Sequence, residues 1–411
     1  MRKYSIFAIL IMFLTIYEPP LIRINLLHIL GAFSWLYILI HSKIVSKVIR
    51  IKKVLLLYVF LMLLWSYLLI VVLVNNASLS NTLSPLYWAI DIIPISIMLS
   101  IHLKKKKFNI YDFLNSLLIS GALQGILAIG AFLFPAIQVV FIRLLVAYGH
   151  GEYIQVLSQF RMYGLASNLT YSTPLTQSVL GVLSIWLAVN SSWKYILFSP
   201  LFIFSSIINA RISLIVFMIG LVLILILKKN MGIKTIAKTL TLTFILFLII
   251  SLGIGIMEKY SPSTYDWVIG GIGEINLFFG ENKGSSYSYY NYFTGADRYV
   301  LPQGFGLLFG VGIRVMHNNK YGVLSDIGYV NDIWLGGVLY AVFIYLFFLW
   351  IVKGLYNKEN KFNQLYKFIY LLALSTLFIS NIKGYIFAMN NFTNMLFLMF
   401  GFICLIKEEA K

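Results

Sequence analysis

Apolar stretches long enough to cross a bilayer recur along nearly the whole chain, and this feature constrains its fold more than any other. A transmembrane helix needs about 20 consecutive apolar residues to span the hydrocarbon core. Hydrophobic residues occupy 60% of the 411 positions and charged residues only 11%, whereas soluble domains carry about 25% charged residues. The sequence therefore predicts an all-α polytopic membrane protein, with residues 1–411 forming a single integral membrane domain.

Twelve apolar runs bounded by charged residues are the predicted transmembrane helices. The first follows Met1-Arg2-Lys3 and lacks a small-residue cleavage pattern, so we expect it to remain as a span and not to act as a signal peptide. The runs cover approximately residues 4–17, 24–40, 54–74, 86–102, 111–134, 175–191, 195–209, 211–227, 239–257, 329–352, 368–381 and 385–406.

Two long polar segments interrupt these runs, at residues 135–174 and 258–328. Cytoplasmic loops of membrane proteins collect Lys and Arg. With both termini in the cytoplasm, 22 of the 32 Lys and Arg residues fall in cytoplasmic segments and ten fall outside. The two long segments then lie on the extracytoplasmic face, and we expect function there because binding and catalytic residues concentrate in loops.

Several functional classes are disfavoured by what the sequence contains. The net charge of +18 comes from short basic clusters between apolar runs, which membrane topology explains, so no nucleic-acid partner is expected. A single cysteine, Cys404, rules out an intramolecular disulfide and a cysteine-based metal cage. The sequence has neither a Gly-rich phosphate loop ending in Gly-Lys-Ser/Thr nor a His-Glu-x-x-His helix. We therefore expect no metal and no cofactor.

The first long segment and the hairpin after it supply candidate phosphate-binding arginines. The guanidinium of Arg161 can bind a phosphate through paired hydrogen bonds, and Gly164 lets the backbone turn or approach a ligand closely. An arginine reaching lipid headgroups is the alternative interpretation. Arg211 follows Asn209 in an otherwise apolar stretch, where a charge requires a partner or a ligand. A purely topological arginine at a tight turn remains equally open.

The end of the second long segment concentrates groups suited to a phosphorylated sugar. Arg314 and Lys320 can neutralise a pyrophosphate, while His317 or Asp326 can accept a proton from an attacking hydroxyl. Tyr329 follows where the chain enters the tenth predicted span, and it is a candidate substrate-binding residue. An ordinary solvated loop can contain the same residues by chance, and this alternative stays open.

The order of three local features resembles the Wzy-type polymerases of O-antigen and similar oligosaccharide repeat units, which are relatives of O-antigen ligase. The predicted topology resembles that family across most of the chain. The features are Arg161 with Gly164 before a span, Asn209-Ala210-Arg211 at an outer hairpin, and Gly310-Val311-Gly312 leading to Asp326-Ile327-Gly328-Tyr329 and Gly336-Gly337.

The resemblance implies a glycosyltransferase of polysaccharide or lipopolysaccharide biosynthesis in the bacterial cytoplasmic (inner) membrane. Such an enzyme joins two undecaprenyl-pyrophosphate-linked glycans by inverting, metal-independent transfer on the extracytoplasmic face. Membrane lipids, a chain-length regulator and a flippase are the further partners it implies. The implied catalytic residues are Arg161, Arg211, His317 and Asp326, and the implied substrate-binding residues are Gly164, Arg314, Lys320 and Tyr329.

Two other functions compete with polymerisation. An O-antigen ligase uses the same donor chemistry and differs only in its acceptor. A lipid-linked oligosaccharide flippase has about this length and twelve spans, but it is expected to place charges inside its spans and to keep its outer loops short. The long polar segment 258–328 therefore favours an enzyme over a flippase.

Overall fold

Helices make up the regular structure of the described residues. In the computed structural model these residues are 4–21, 25–149, 161–162, 164–167, 171–210, 212–227, 241, 244, 248, 251–266, 268–270, 296–315, 321–356 and 362–405. No β-strand occurs in these ranges, so the all-α prediction is confirmed for them. The α-helices are α1 (Ile6–Tyr17), α2 (Leu26–Ile40), α3 (Ser42–Val48), α4 (Ile51–Val74), α5 (Leu83–Tyr87), α6 (Ile93–Lys105), α7 (Ile110–Leu133), α8 (Pro135–Tyr148), α9 (Ser172–Asn190), α10 (Phe198–Ile207), α11 (Ile212–Leu227), α12 (Phe305–Phe309), α13 (Gly328–Gly354), α14 (Asn363–Ser380) and α15 (Asn391–Phe400).

Five helical segments are long and apolar enough to cross a membrane. Four of them are α4, α7, α9 and α13, and the fifth, Leu79–Lys105, runs from a 3₁₀ turn through α5, a π-helical segment and α6. The pair α2 and α3 makes a sixth if it is counted as one bent span. The protein therefore has the helices of an all-α membrane protein, while the count of twelve spans stays a prediction.

Helix boundaries differ from the predicted spans at three places. The chain bends by 89° between α2 and α3, so the second predicted span continues into a short, differently directed helix. The first long polar segment contains α8, which begins with Pro135 at a position that tolerates proline. The last helix starts only at Asn391, because the Asn390 side chain accepts hydrogen bonds from the backbone N–H groups of Phe392 and Thr393. Nine of the 19 residues in the predicted span 239–257 lie outside the described residues, and residues 251–260 are helical.

The chain divides into two compact units, each assembled from separate stretches of sequence. The first unit comprises residues 1–29, 103–272 and 358–375, and the second comprises residues 30–102, 273–357 and 376–411. Helix α9 lies in the core of the first unit, where 17 of its 19 residues are buried. Close packing there depends on small residues, since a Cβ atom on Gly121 would lie 2.3 Å from Cδ1 of Leu180.

Helix α13 forms the centre of the second unit. Its buried Phe347 and Phe348 pack against the rings of Trp88 and Phe397, with ring centroids 5.4 to 6.5 Å apart. The helix is broken at Gly337, which has φ 73° and ψ −178°. A Cβ atom at this position would lie 2.2 Å from the backbone oxygen of Leu308. Glycine is therefore required there both for its conformation and for the close approach of a second backbone.

We expect Gly337→Ala to destabilise the protein more than Gly322→Ala. Both glycines have a positive φ, 73° and 66°, so alanine is strained at either site, by about 1–3 kcal/mol. Only at Gly337 does the added methyl group also meet the backbone of Leu308, whereas the space around Gly322 is open to 4 Å. The thermal unfolding midpoints of the two variants in one detergent test this. Equal midpoints would show that the backbone contact contributes nothing.

Candidate functional site

The segment that carries Arg314 is attached to the break in α13. Because the helix is interrupted at Gly337, the carbonyls of Trp334 and Leu335 accept hydrogen bonds from outside the helix. The backbone N–H of Val311 donates to Trp334 over 2.8 Å, and that of Gly312 donates to Leu335 over 3.1 Å. These bonds bring Gly310-Val311-Gly312 and Gly336-Gly337 together, two parts of the sequence pattern that lie 24 or more residues apart in numbering.

Asn331 attaches the same segment to the start of α13. Its side chain is fully buried, and its oxygen accepts a hydrogen bond from the backbone N–H of Val315 over 2.9 Å. Its amide nitrogen donates to the carbonyls of Ser325 and Ile327 at 2.8 and 2.9 Å. A buried amide with both ends satisfied holds its partners in one arrangement. Arg314, next to Val315, is consequently presented from a fixed backbone.

Asn381 caps the first turn of α13. The residue at the N-cap position of this helix, Ile327, forms no side-chain hydrogen bond. The backbone carbonyl of Asn381 accepts hydrogen bonds from the N–H groups of Gly328 and Tyr329 at 2.8 and 3.3 Å. Its side-chain oxygen accepts from the N–H of Ile386 at 3.1 Å. The unpaired donors at a helix start are thus satisfied from the turn that follows α14.

A buried carboxylate, Asp332, lies beside this cap. It is 1% exposed and accepts hydrogen bonds from Asn381 Nδ2 at 3.0 Å and from the Tyr345 hydroxyl at 2.9 Å. The charge of Arg314 also interacts with this carboxylate at longer range. Buried polar groups are stable when they are hydrogen-bonded, and Asn381 and Tyr345 meet this condition for Asp332.

The guanidinium of Arg314 stacks over an aromatic ring. Its central carbon lies 4.7 Å from the centroid of Tyr385, within the range of a cation–π interaction. Its Nε atom is buried, and no acceptor within the described part of the chain lies within hydrogen-bond distance of it. Stacking on a ring face restricts the positions that the planar guanidinium can take. This geometry suits paired hydrogen bonding to an anion such as a phosphate.

Asp326 and Tyr329, both predicted site residues, lie in the same unit. Asp326 forms an ion pair with Arg298 over 3.1 Å, and both side chains are about one-third exposed. The hydroxyl of Tyr329 donates to the backbone carbonyl of Phe378. The ring of Tyr329 contacts Tyr345 at 5.9 Å between centroids, next to the hydroxyl that binds Asp332. The predicted role of Asp326 as a base stays a prediction, and its ion pair gives it a structural task as well.

The predicted residues of the first polar segment lie in the first unit. Arg161 is half-buried, and the Asn209 side chain donates a 2.7 Å hydrogen bond to the carbonyl of the next residue, Met162. Gly164 has φ 63°, and a Cβ atom there would lie 2.7 Å from the Gln124 amide nitrogen. The structure therefore makes neighbours of the Arg161 segment and the Asn209-Ala210 turn. Three predicted site residues lie outside the described residues: Arg211, His317 and Lys320.

Sequence reasoning missed three residues of this site, Asp332, Asn381 and Tyr345. Asp332 is the single acidic residue within the predicted span 329–352, and an ionisable residue inside a span signals function by itself. That signal was available from the sequence. The partners of Asp332 were not, because Asn381 lies 49 positions away in the chain and only folding brings the two together.

Within the described residues, no group of three or more His, Cys, Asp or Glu side chains is arranged to hold a metal ion. Comparison with models of known protein families, with curated proteins and with solved structures finds no match to this chain. The fold and site define a helical membrane protein whose second unit holds a buried carboxylate, Asp332, near a half-buried arginine, Arg314.

We expect Asp332 and Arg314 to be energetically coupled. In a double-mutant cycle of Asp332→Asn and Arg314→Gln, the coupling should fall at about 0.5–3 kcal/mol, the range of residues that belong to one network. The matched control is the cycle of Asp326→Asn and Arg298→Gln, a partly exposed pair expected to give at most about 1 kcal/mol. Unfolding free energies in detergent supply both values. Coupling no larger for the buried pair would contradict the network.

Proposed function

We propose that this protein polymerises undecaprenyl-pyrophosphate-linked oligosaccharide repeat units of O-antigen, capsule or a similar polysaccharide. The observation that carries the proposal is Arg314, whose guanidinium stacks on the ring of Tyr385 and interacts electrostatically with the buried Asp332. A leaving pyrophosphate needs chiefly this kind of charge stabilisation. The order of the sequence features described above supports the same assignment.

The proposed reaction forms one glycosidic bond and breaks one bond to pyrophosphate. The terminal hydroxyl of a newly delivered repeat unit attacks the anomeric carbon of the growing chain, with inversion. The bond from that carbon to the pyrophosphate oxygen breaks, and the electron pair leaves with undecaprenyl pyrophosphate. The hydroxyl proton passes to a base, for which His317 and Asp326 are the candidates.

Each remaining residue has a proposed part in this reaction. Arg314 binds the leaving pyrophosphate, and Asp332 with Asn381 and Tyr345 keeps that arginine in place without touching substrate. Arg161 and Arg211 are the phosphate-binding candidates of the first unit, where Gly164 allows the close turn of the backbone. Lys320 and Tyr329 are proposed to contact the glycan or its phosphates.

The proposed topology has twelve spans, cytoplasmic termini and the segments 135–174 and 258–328 on the extracytoplasmic face of the inner membrane. It rests on the distribution of basic residues. Replacing the native Cys404 by serine allows single cysteines to be labelled in intact cells with a membrane-impermeant maleimide. Gly304→Cys should be labelled and Lys106→Cys should not. Labelling of Lys106→Cys without permeabilisation would reverse or discard the proposed topology.

The surface glycan of a deletion strain tests the proposed function directly. Loss of a polymerase leaves surface glycan with a single repeat unit. Loss of a ligase leaves no glycan on its acceptor, and loss of a flippase traps the repeat unit inside the cell. We expect the first pattern, seen as collapse of the glycan ladder to one band on a gel. Either other pattern would assign the chain to the competing class.

Complementation of the same strain tests the residues. We expect Arg314→Ala to reduce polymer formation by about a hundredfold to a thousandfold, the effect of removing one donor to a developing anion. Arg314→Lys should also be impaired, because lysine keeps the charge but lacks the planar fork. Lys353→Gln, at the opposite end of α13, is the control for loss of one positive charge and should keep the full ladder.

Variants of Arg161 and Arg211 complete the test, with protein levels matched by immunoblot. Full ladders from both Arg161→Ala and Arg211→Ala would remove the first unit from the chemistry. Full activity of both His317→Ala and Asp326→Ala would leave this segment a binding surface without a base.

A further inference from the structure

An apolar groove of about 400 Å³ lies within the second unit, bounded by α2, α3 and α4. Its volume falls in the range of ligand sites, about 300–1,000 Å³. Helices α2 and α3 line it with positions spaced i, i+3 and i+4, and α4 lines it with Ile51, Val54, Leu55 and Tyr58, spaced i, i+3, i+4 and i+7. Such positions share one helix face. The groove is therefore formed by three coherent apolar faces.

The polar atoms of the groove wall point away from it. The indole N–H of Trp35 donates to the carbonyl of Ile90 over 2.9 Å, and the hydroxyl of Tyr58 donates to Ala89 over 3.1 Å. Both carbonyls belong to the π-helical segment Trp88–Ile92. The hydroxyl of Ser46 donates to Lys43 of its own helix. Apolar surface remains, so the part of a ligand that enters the groove must be hydrocarbon.

Positive charge lies next to this apolar surface. In α3 the groove-lining positions include Ser42 and Ser46, and Lys43 and Lys47 follow them by one residue each. The two lysines are one helical turn apart on the same side of the helix, and both are exposed. The positive-inside rule accounts for basic residues in this part of the chain. It does not account for a lysine pair in register with the edge of a groove.

Helix α3 has the direction and composition of a helix that lies along a membrane surface. It turns by 89° from α2, and it sets an apolar edge beside a basic one, as interfacial helices do. Basic clusters of this kind attract anionic lipids. A neutral lipid would fill the groove but form no ion pair with the lysines. A soluble phosphate would pair with the lysines but leave the groove empty.

We propose that the groove binds one acyl chain of an anionic glycerophospholipid, with Lys43 and Lys47 at its phosphate. The ligand's two chemical parts match two adjacent surfaces of the second unit. Lys53 is not assigned to the phosphate, because its ammonium donates to the Cys404 sulfur over 3.1 Å. The site is separate from the Arg314 cluster, and its test requires no glycan, so either proposal can fail without the other.

Quenching of Trp35 fluorescence tests the proposal, since this indole lines the groove. The full chain in detergent micelles is titrated with phosphatidylglycerol or phosphatidylcholine brominated in the acyl chain, and the signal of Trp35→Phe is subtracted to isolate Trp35. We expect saturable quenching at lower mole fraction with phosphatidylglycerol. Equal quenching by the two lipids would overturn the proposal and leave nonspecific lipid contact.

Two variants separate the headgroup from the chain. The double variant Lys43→Gln, Lys47→Gln should raise the mole fraction of phosphatidylglycerol at half-maximal quenching about 30-fold. This is the factor expected from two lysines near an anionic surface. The control double variant Lys105→Gln, Lys106→Gln removes the same charge from exposed positions outside the groove. It should change the mole fraction of phosphatidylglycerol at half-maximal quenching little. Ser46→Phe narrows the groove and should weaken quenching with both lysines present.

Equal titrations for the two lysine pairs would overturn the proposal. Lys43 and Lys47 are exposed, so this comparison does not depend on whether Ser46→Phe folds.

Discussion

The contact between the backbone of Gly310 and that of Gly336 and Gly337 determines the geometry of the candidate site. A Cβ atom on Gly310 would lie 2.5 Å from the Cα of Gly336. The two backbone segments therefore meet with no side chain between them. The break in α13 that permits this contact also frees the carbonyls of Trp334 and Leu335, which accept the N–H groups of Val311 and Gly312. Arg314 follows Gly312 by two residues.

A buried charge makes this arrangement specific. Asp332 sits one turn into a helix that is apolar over most of its length, where an unpaired carboxylate would be very unfavourable. Its donors come from the same helix, through Tyr345, and from the turn after α14, through Asn381. Asn381 also caps the helix start. One turn of chain therefore stabilises the helix end and the carboxylate together, and through the carboxylate it acts on Arg314.

The second unit thus has two regions in which polar chemistry borders apolar surface. In one, an arginine on an aromatic ring is balanced by a buried acid. In the other, lysines border a groove whose indole and phenol donate to the carbonyls of a π-helical segment. Both lie beside an irregular helix, because a broken or widened helix frees carbonyls in its interior for groups outside itself. Irregular backbone inside an apolar protein needs such partners.

Sequence periodicity and composition by themselves determined the helical class and the positions of several long apolar helices, while the location of the functional segments stays a prediction. They succeeded for the helices because apolar length is a local property of the chain. Periodicity and composition did not predict the 89° bend after α2 or the break at Gly337, since each depends on packing between distant segments.

The tertiary structure decided which polar residues act together. Arg314 was predicted from its loop, but Asp332, Asn381 and Tyr345 form their hydrogen-bonded group only because a helix start, a helix interior and a distant turn meet. Hydrogen bonds of 3 Å between residues 13 and 49 positions apart are set by the folded backbone, and no local pattern encodes them.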